Sequence, residues 1–183
     1  MVLTIDIGNT TIGIGGFQGN KLLFIEKISS RRPLSDAGYI EKLNMILNKH
    51  GLSAEAFEGS MISSVVPSVT AVFSSALETF LGRKPLILSH KLDLGYEICT
   101  EFPEKVGCDR LADIAGAISR YSLPFVTIDL GTATTFNVLD ENRRFLGGLI
   151  LPGVGTAHRA LLGKTAQLPK GDIHMPAHTI GAN

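Results

Sequence analysis

Two carboxylates, Asp6 and Asp129, each close an apolar run and are followed by a glycine two positions on and then by hydroxyl residues. The first stretch reads Thr4-Ile5-Asp6-Ile7-Gly8-Asn9-Thr10-Thr11 and the second Thr127-Ile128-Asp129-Leu130-Gly131-Thr132-Ala133-Thr134-Thr135. A buried strand that ends this way makes a tight turn whose backbone N–H groups and hydroxyls can point at phosphate oxygens. Its carboxylate can hold a cation, or that cation's water, beside them. Gly-Asn also suits a plain hairpin, because both residues tolerate positive φ, and for the first copy alone that is the simpler explanation. The second copy shifts the balance, since a hairpin has no need to repeat an inward Asp, a Gly two residues later and a Thr after the turn. One such turn at the start of each half predicts two related domains facing a shared nucleotide cleft.

A third constellation is Val106-Gly107-Cys108-Asp109-Arg110. Gly followed by Asp-Arg at a helix start puts backbone N–H groups, a carboxylate and a guanidinium together. That suits a base taking a hydroxyl proton beside a cation that steadies negative charge. Taken alone, it reads as well as a helix start in which Asp109 complements the dipole and Arg110 pairs at the surface. Two other glycine motifs are decoys. Gly163-Lys164-Thr165 has His158 where a P-loop needs its first Gly, and it ends a helix instead of opening one. Gly153-Val154-Gly155 lacks the third Gly of a dinucleotide fingerprint, although Pro152, Gly153 and Gly155 let the backbone pass close to a ligand before a helix start near Thr156, which favours an anion. His174 and His178 are separated by Pro176, which forbids the helix that would align them on a metal. Cys99 and Cys108 match no metal-ligand spacing and read as reduced, buried small residues.

The elements that must position these groups follow from periodicity. Val2–Ile7, Thr11–Phe17 and Leu22–Ile28 form a three-stranded meander. A helix capped by Ser35-Asp36 runs to His50 with Tyr39, Leu43, Ile46 and Leu47 on one face and Gly51 as its stop. A strand at Met61–Val66, a helix from Pro67 to about Leu81 and a strand at Pro85–Leu88 complete a mixed sheet with flanking helices. A helix opening at Cys108-Asp109-Arg110 buries Leu111, Ile114, Ala115 and Ile118. The meander then restarts at Phe125–Leu130, Thr134–Leu139 and Phe145–Ile150, with a helix from about Thr156 to Leu162. A full repeat would add two more strands and their helices, so the second half reads as incomplete.

Composition sets the outer limits. The 183 residues, 44% of them hydrophobic, are enough for one large domain or two small ones. Lys plus Arg balance Asp plus Glu at 17 each, which disfavours nucleic acid as a partner. No apolar run approaches membrane-spanning length, and the N-terminus reads straight into a strand, so a cytoplasmic location is expected.

As a set, Asp6-x-Gly8-Asn9-Thr10, Gly107-x-Asp109-Arg110 and Asp129-x-Gly131-Thr132-Ala133-Thr134 resemble the type III pantothenate kinases of bacteria. So do Ser63-Ser64-Val65-Val66-Pro67-Ser68 and Gly147-Gly148 through Pro152-Gly153, in order and from end to end of the chain. The resemblance implies an α/β fold of duplicated ribonuclease-H-like (actin-like ATPase) domains, one at 1–120 and a partial one at 121–183. It implies ATP-dependent phosphorylation of pantothenate to 4'-phosphopantothenate, the first step of coenzyme A biosynthesis, by a homodimer.

By the same resemblance, Asp6, Ile7, Gly8, Asn9, Thr10, Thr11, Ile12 and Gly13, with Gly131 and Thr132, would contact the ATP phosphates, with Asp6 near the magnesium. Asp109 would be the general base, and Thr100, Gly107, Cys108, Asp109 and Arg110 would line the pantothenate pocket. Asp129 would bind a monovalent cation, potassium or ammonium. Three departures stand out. Asn137 occupies a position where the family usually carries Asp, and Thr100 one where it often carries Tyr. The family's further substrate-contacting Thr, dimer helix and Gly-Gly segment fall beyond Asn183. A kinase for another small hydroxyl substrate and a regulatory, non-catalytic relative are the competing readings.

Overall fold

A computed structural model describes residues 1–165 together with Gly171 and Ile173. The first meander is β1 (Val2–Ile7), β2 (Thr11–Gln18) and β3 (Lys21–Ser29), followed by helix α1 (Asp36–Lys49). Ser35 caps α1 by accepting from the Gly38 N–H at 3.3 Å. Gly51, at φ +66°, takes the left-handed turn that ends it. Next come β4 (Gly59–Ser64), α2 (Pro67–Leu81) and the short β5 (Leu86–Ile87). Pro67 opens α2 and Gly82, at φ +67°, closes it, the asymmetry expected of helix ends. The turn between β4 and α2 is tied by Ser64, whose Oγ accepts from the Val66 N–H at 3.1 Å and from the Thr70 hydroxyl at 2.6 Å.

These strands make a five-stranded sheet in the order β3-β2-β1-β4-β5. β1 is central, antiparallel to β2 and parallel to β4. Strand alternation puts Leu3, Ile5 and Ile7 with Ile12 and Ile14 on one face, where α1 and α2 bury them with Tyr39, Phe73 and Leu77. The opposite face carries Thr4, Asp6 and Gly13. The core of this half thus fixes which way Asp6 points: a one-residue slip in register would turn the carboxylate into the apolar layer.

The second half contains β6 (Glu97–Ile98), α3 (Cys108–Ile118), β7 (Phe125–Leu130), β8 (Ala133–Leu139), β9 (Arg144–Pro152) and α4 (Val154–Lys164). Its sheet runs β6-β9-β8-β7. β6, absent from the sequence reading, precedes residue 120 yet pairs parallel to β9 in the second sheet. Here β7, the counterpart of central β1, is an edge strand among the described residues. Its Val126, Ile128 and Leu130, with Leu149 and Leu151 of β9, are exposed, Leu130 at 74%. Helix α3 packs on β4 of one sheet and on β7 and β8 of the other, so it bridges the halves.

Several local expectations need correction. The buried face of α3 is Leu111, Ile114 and Ala117, whereas Ala115 and Ile118 are half-buried. α4 begins at Val154, two residues before Thr156, because Gly153 serves as its N-cap. Gly163 lies inside its last turn, so Thr165 and not Gly163 follows the helix. Cys99 is exposed and Cys108 half-buried, as free thiols. His174 and His178 lie outside the described residues.

Candidate active site

The first turn, Gly8–Thr11, links β1 to β2 and is closed by the Gly8 N–H donating to the Thr11 carbonyl at 2.9 Å. It is a hairpin turn, and the strands it joins present Asp6, Thr11 and Gly13 to a cleft. The second turn, Gly131–Ala133, is one residue shorter, closed by the Gly131 N–H to the Ala133 carbonyl at 2.9 Å. Asp6 and Asp129 each hold the fifth place of a six-residue strand. The turns meet where the hydroxyls of Thr10 and Thr132 approach to 3.2 Å. Behind the second turn, the Thr132 carbonyl accepts from the Gly153 N–H at 3.0 Å and from the Thr156 hydroxyl at 2.8 Å. This sets the N-terminal end of α4 against that turn.

Between the sheets lies a cleft of about 500 Å³ lined by Asp6, Gly13, Lys27, Ser63, Asp109, Asp113 and Asp129. Ser63 stands beside Asp6 in the β1–β4 register. Burial pushes the Asp6 carboxyl above its ordinary value. The Ser63 hydroxyl opposes that rise, the charges of Asp109 and Asp129 add to it, and Lys27 counteracts it. Asp113 is pushed further, to about 6, by burial first and then by Asp129, Asp109 and Asp6. Sequence reasoning passed over Asp113. The available signal is its spacing, four residues after Asp109, which puts both carboxylates on one face of α3.

Asp109 sits in the first turn of α3, and its Oδ1 accepts from the Arg110 N–H at 2.8 Å. A Cβ at Gly107 would collide with that same oxygen, so the glycine admits the carboxylate. Arg110 turns toward the second sheet, where Nε donates to Asn137 Oδ1 at 2.6 Å. Thr100 lies beside Gly147, with its Cγ2 3.8 Å from where a Gly147 Cβ would stand. Of the five residues expected around the acceptor, Asp109 lines this cleft and Thr100, Gly107, Cys108 and Arg110 do not; the Cys108 thiol donates to the Leu88 carbonyl at 3.1 Å. Ile7 and Ile12 are fully buried, so their side chains cannot reach a ligand.

All four cleft carboxylates are hard oxygen donors, the type that magnesium and potassium prefer. Among the described residues, no three acidic, histidine or cysteine side chains converge as a ligand shell.

Two Asp-Gly turns on related sheets, facing each other across a cleft, belong to an α/β fold of duplicated actin-like ATPase domains, the second of them incomplete. The family model described as type III pantothenate kinase matches residues 2–183, and the chain belongs to that family. It is 39% identical over 183 residues to the type III pantothenate kinase of Bifidobacterium animalis subsp. lactis (strain AD011), covering all of this chain and 73% of that one. The corresponding enzyme of Dictyoglomus turgidum is 37% identical, with all of this chain and 71% of that one covered.

Among solved structures, a Baf family protein from Campylobacter jejuni, described as a transcriptional activator, shares the fold at TM-score 0.54 and 17% identity. That match covers 98% of this chain and 68% of that one. A protein from Porphyromonas gingivalis described as an N-acetylglucosamine kinase matches at TM-score 0.50 and 15% identity, over 89% and 55% of the two chains. Among the described residues, no helix is long and apolar enough to cross a membrane.

Proposed function

We propose that this protein transfers the γ-phosphoryl group of ATP to the terminal hydroxyl of pantothenate, giving 4'-phosphopantothenate and ADP in the first step of coenzyme A biosynthesis. The observation that carries this is the convergence of both Asp-Gly turns and Asp109 on one cleft, in a chain of the type III pantothenate kinase family. Phosphoryl transfer depends on positioning and charge stabilisation, and a pair of opposed turns plus one carboxylate supplies those parts.

In this reading the backbone from Asp6 to Gly13 and the Thr10 and Thr132 hydroxyls hold the phosphates. Asp109 accepts the hydroxyl proton as that oxygen bonds to the γ-phosphorus and the bond to the departing ADP oxygen breaks. Asp6 would hold hydrated magnesium and Asp129 a potassium or ammonium ion; when bound, these cations neutralise phosphate charge. Gly107, Arg110 and Thr100 border the acceptor. Homodimerisation and a cytoplasmic location belong to the same proposal.

The test is ADP release from ATP and magnesium with pantothenate, in potassium or in sodium, for the chain and its Asp109→Asn variant. Pantothenate-dependent turnover that falls about 10²- to 10⁴-fold in the variant is the expected result. ADP release indifferent to pantothenate would sink the proposal.

A further inference from the structure

Two neighbouring charges on β3 go to opposite faces of the first sheet. Glu26 lies on the helix side, where its Oε1 accepts from Lys49 Nζ at 2.7 Å and stands 2.9 Å from His50 Nε2 at the end of α1. Strand alternation therefore sends Lys27 to the other face, among the residues that line the cleft. Register sets it in a row across the sheet: Lys27 stands opposite Gly13 of β2, Gly13 opposite Asp6 of β1, and Asp6 opposite Ser63 of β4.

Gly13 keeps the lane between Lys27 and Asp6 open. Even a methyl at position 13 would stand 3.8 Å from the Asp6 Cβ, so a longer side chain would fill that space. Adjacent strands lie about 4.8 Å apart, and the flexible four-carbon stem of a lysine crosses a gap of that size. The charge of Lys27 is felt at Asp6, where it favours the ionised carboxylate. The ion pairs found among the described residues nevertheless do not include Lys27.

Lys27 is also the single basic side chain in a lining that holds four carboxylates, Asp6, Asp109, Asp113 and Asp129. Phosphate oxygens entering this cleft meet like charge from every other ionisable group, so the ammonium is the one charged donor of the lining that attracts them.

We propose that Lys27 is a phosphate-binding residue, reaching over Gly13 to donate to an oxygen of the polyphosphate held at the two Asp-Gly turns. The inference rests on the nucleotide half of the kinase reading and goes beyond it, since Lys27 belongs to neither turn.

The experiment titrates the full chain, Lys27→Gln and Lys27→Arg with inorganic tripolyphosphate and with a non-hydrolysable ATP analogue, each with magnesium, near pH 6.5 and near pH 8.5. Lys27→Gln is expected to weaken both ligands about ten- to a hundredfold, the range for a hydrogen bond to a charged group, and by the same factor at both pH values. Lys27→Arg, which keeps the charge, should recover most of the loss. In the parent, bound tripolyphosphate should also slow acetylation of Lys27, read by peptide mass spectrometry, while Lys42 on α1 reacts at an unchanged rate. This second measurement decides the matter if Lys27→Gln does not fold.

Equal affinity in Lys27→Gln overturns the inference. So does a loss confined to the lower pH, because Asp6 ionises as pH rises and a lysine acting only through that carboxylate would matter least when it is already charged. Acetylation of Lys27 indifferent to tripolyphosphate, or a parent that binds neither ligand, overturns it as well. Binding without pantothenate-dependent turnover defeats the kinase reading separately and leaves the titrations to judge Lys27.

Discussion

The hydroxyls of Thr10 and Thr132 stand 3.2 Å apart although 122 residues separate them in the chain. Each belongs to one of the two Asp-Gly turns, so this contact marks where the halves of the proposed phosphate site touch. Thr132 is held from behind through its carbonyl, which leaves its side chain free of any other structural duty. Thr132→Val keeps the shape and removes the hydroxyl. We expect ATP affinity to fall by roughly 1.5–3 kcal/mol, the range for a hydrogen bond to a charged group, or about ten- to a hundredfold. Calorimetric titration with a non-hydrolysable ATP analogue checks this, and equal affinity in the variant would remove Thr132 from the nucleotide site.

Asp113 gives the cleft a pH signature. Its carboxyl is raised from the ordinary 3.8 to about 6 in the folded chain, so the native state keeps its proton between those values while the unfolded chain has lost it. The contribution of this group to stability is therefore complete below pH 4 and lost as pH rises through about 6. Asp113→Asn should raise the melting temperature at pH 7.5, and the gain should vanish on approach to pH 4. Thermal melts of both proteins across that window decide it; a gain that is the same at both ends would mean that Asp113 is not held out of water among like charges.

Gly153 supports the second turn by close contact. A Cβ there would overlap the Gly131 carbonyl oxygen and crowd the Thr132 carbonyl, 2.8 Å from its oxygen. Gly153→Ala should cost about 1–3 kcal/mol by overpacking and should weaken ATP binding in parallel, because the turn must shift to admit the methyl. Urea denaturation with a nucleotide titration tests both, and a fully stable variant would contradict the packing.

Most of the fold was legible because its signals are local. The alternation in Val2–Ile7 and Phe125–Leu130, Ser35 as a cap and Gly82 as a stop all act within a few residues, and their strands and helices fall where periodicity places them. What was not legible depends on partners far along the chain. Glu97–Ile98 is a strand only because β9 offers it a ladder. The start of α4 moves to Val154 because the Gly153 N–H is taken by Thr132. In the site, the paired turns announced themselves by repetition, whereas Asp113 is one acid inside an amphipathic helix. Asn137 is a lone amide whose sequence shows a lost charge but not the guanidinium it holds.

The two walls of the cleft differ in how much core backs them. Sixteen buried side chains form one cluster beneath β1 and its neighbours, while the cluster beneath the second sheet has three among the described residues. Local opening follows buried apolar contact, so the amides of β1 and β4 should exchange with solvent only through global unfolding, and those of β7 to β9 well before. Hydrogen exchange read by mass spectrometry would show two tiers, and uniform protection would contradict this. The first half then acts as an anvil and the second as a compliant jaw, so that any parting of the Thr10–Thr132 contact is expected to come from movement of the Thr132 turn.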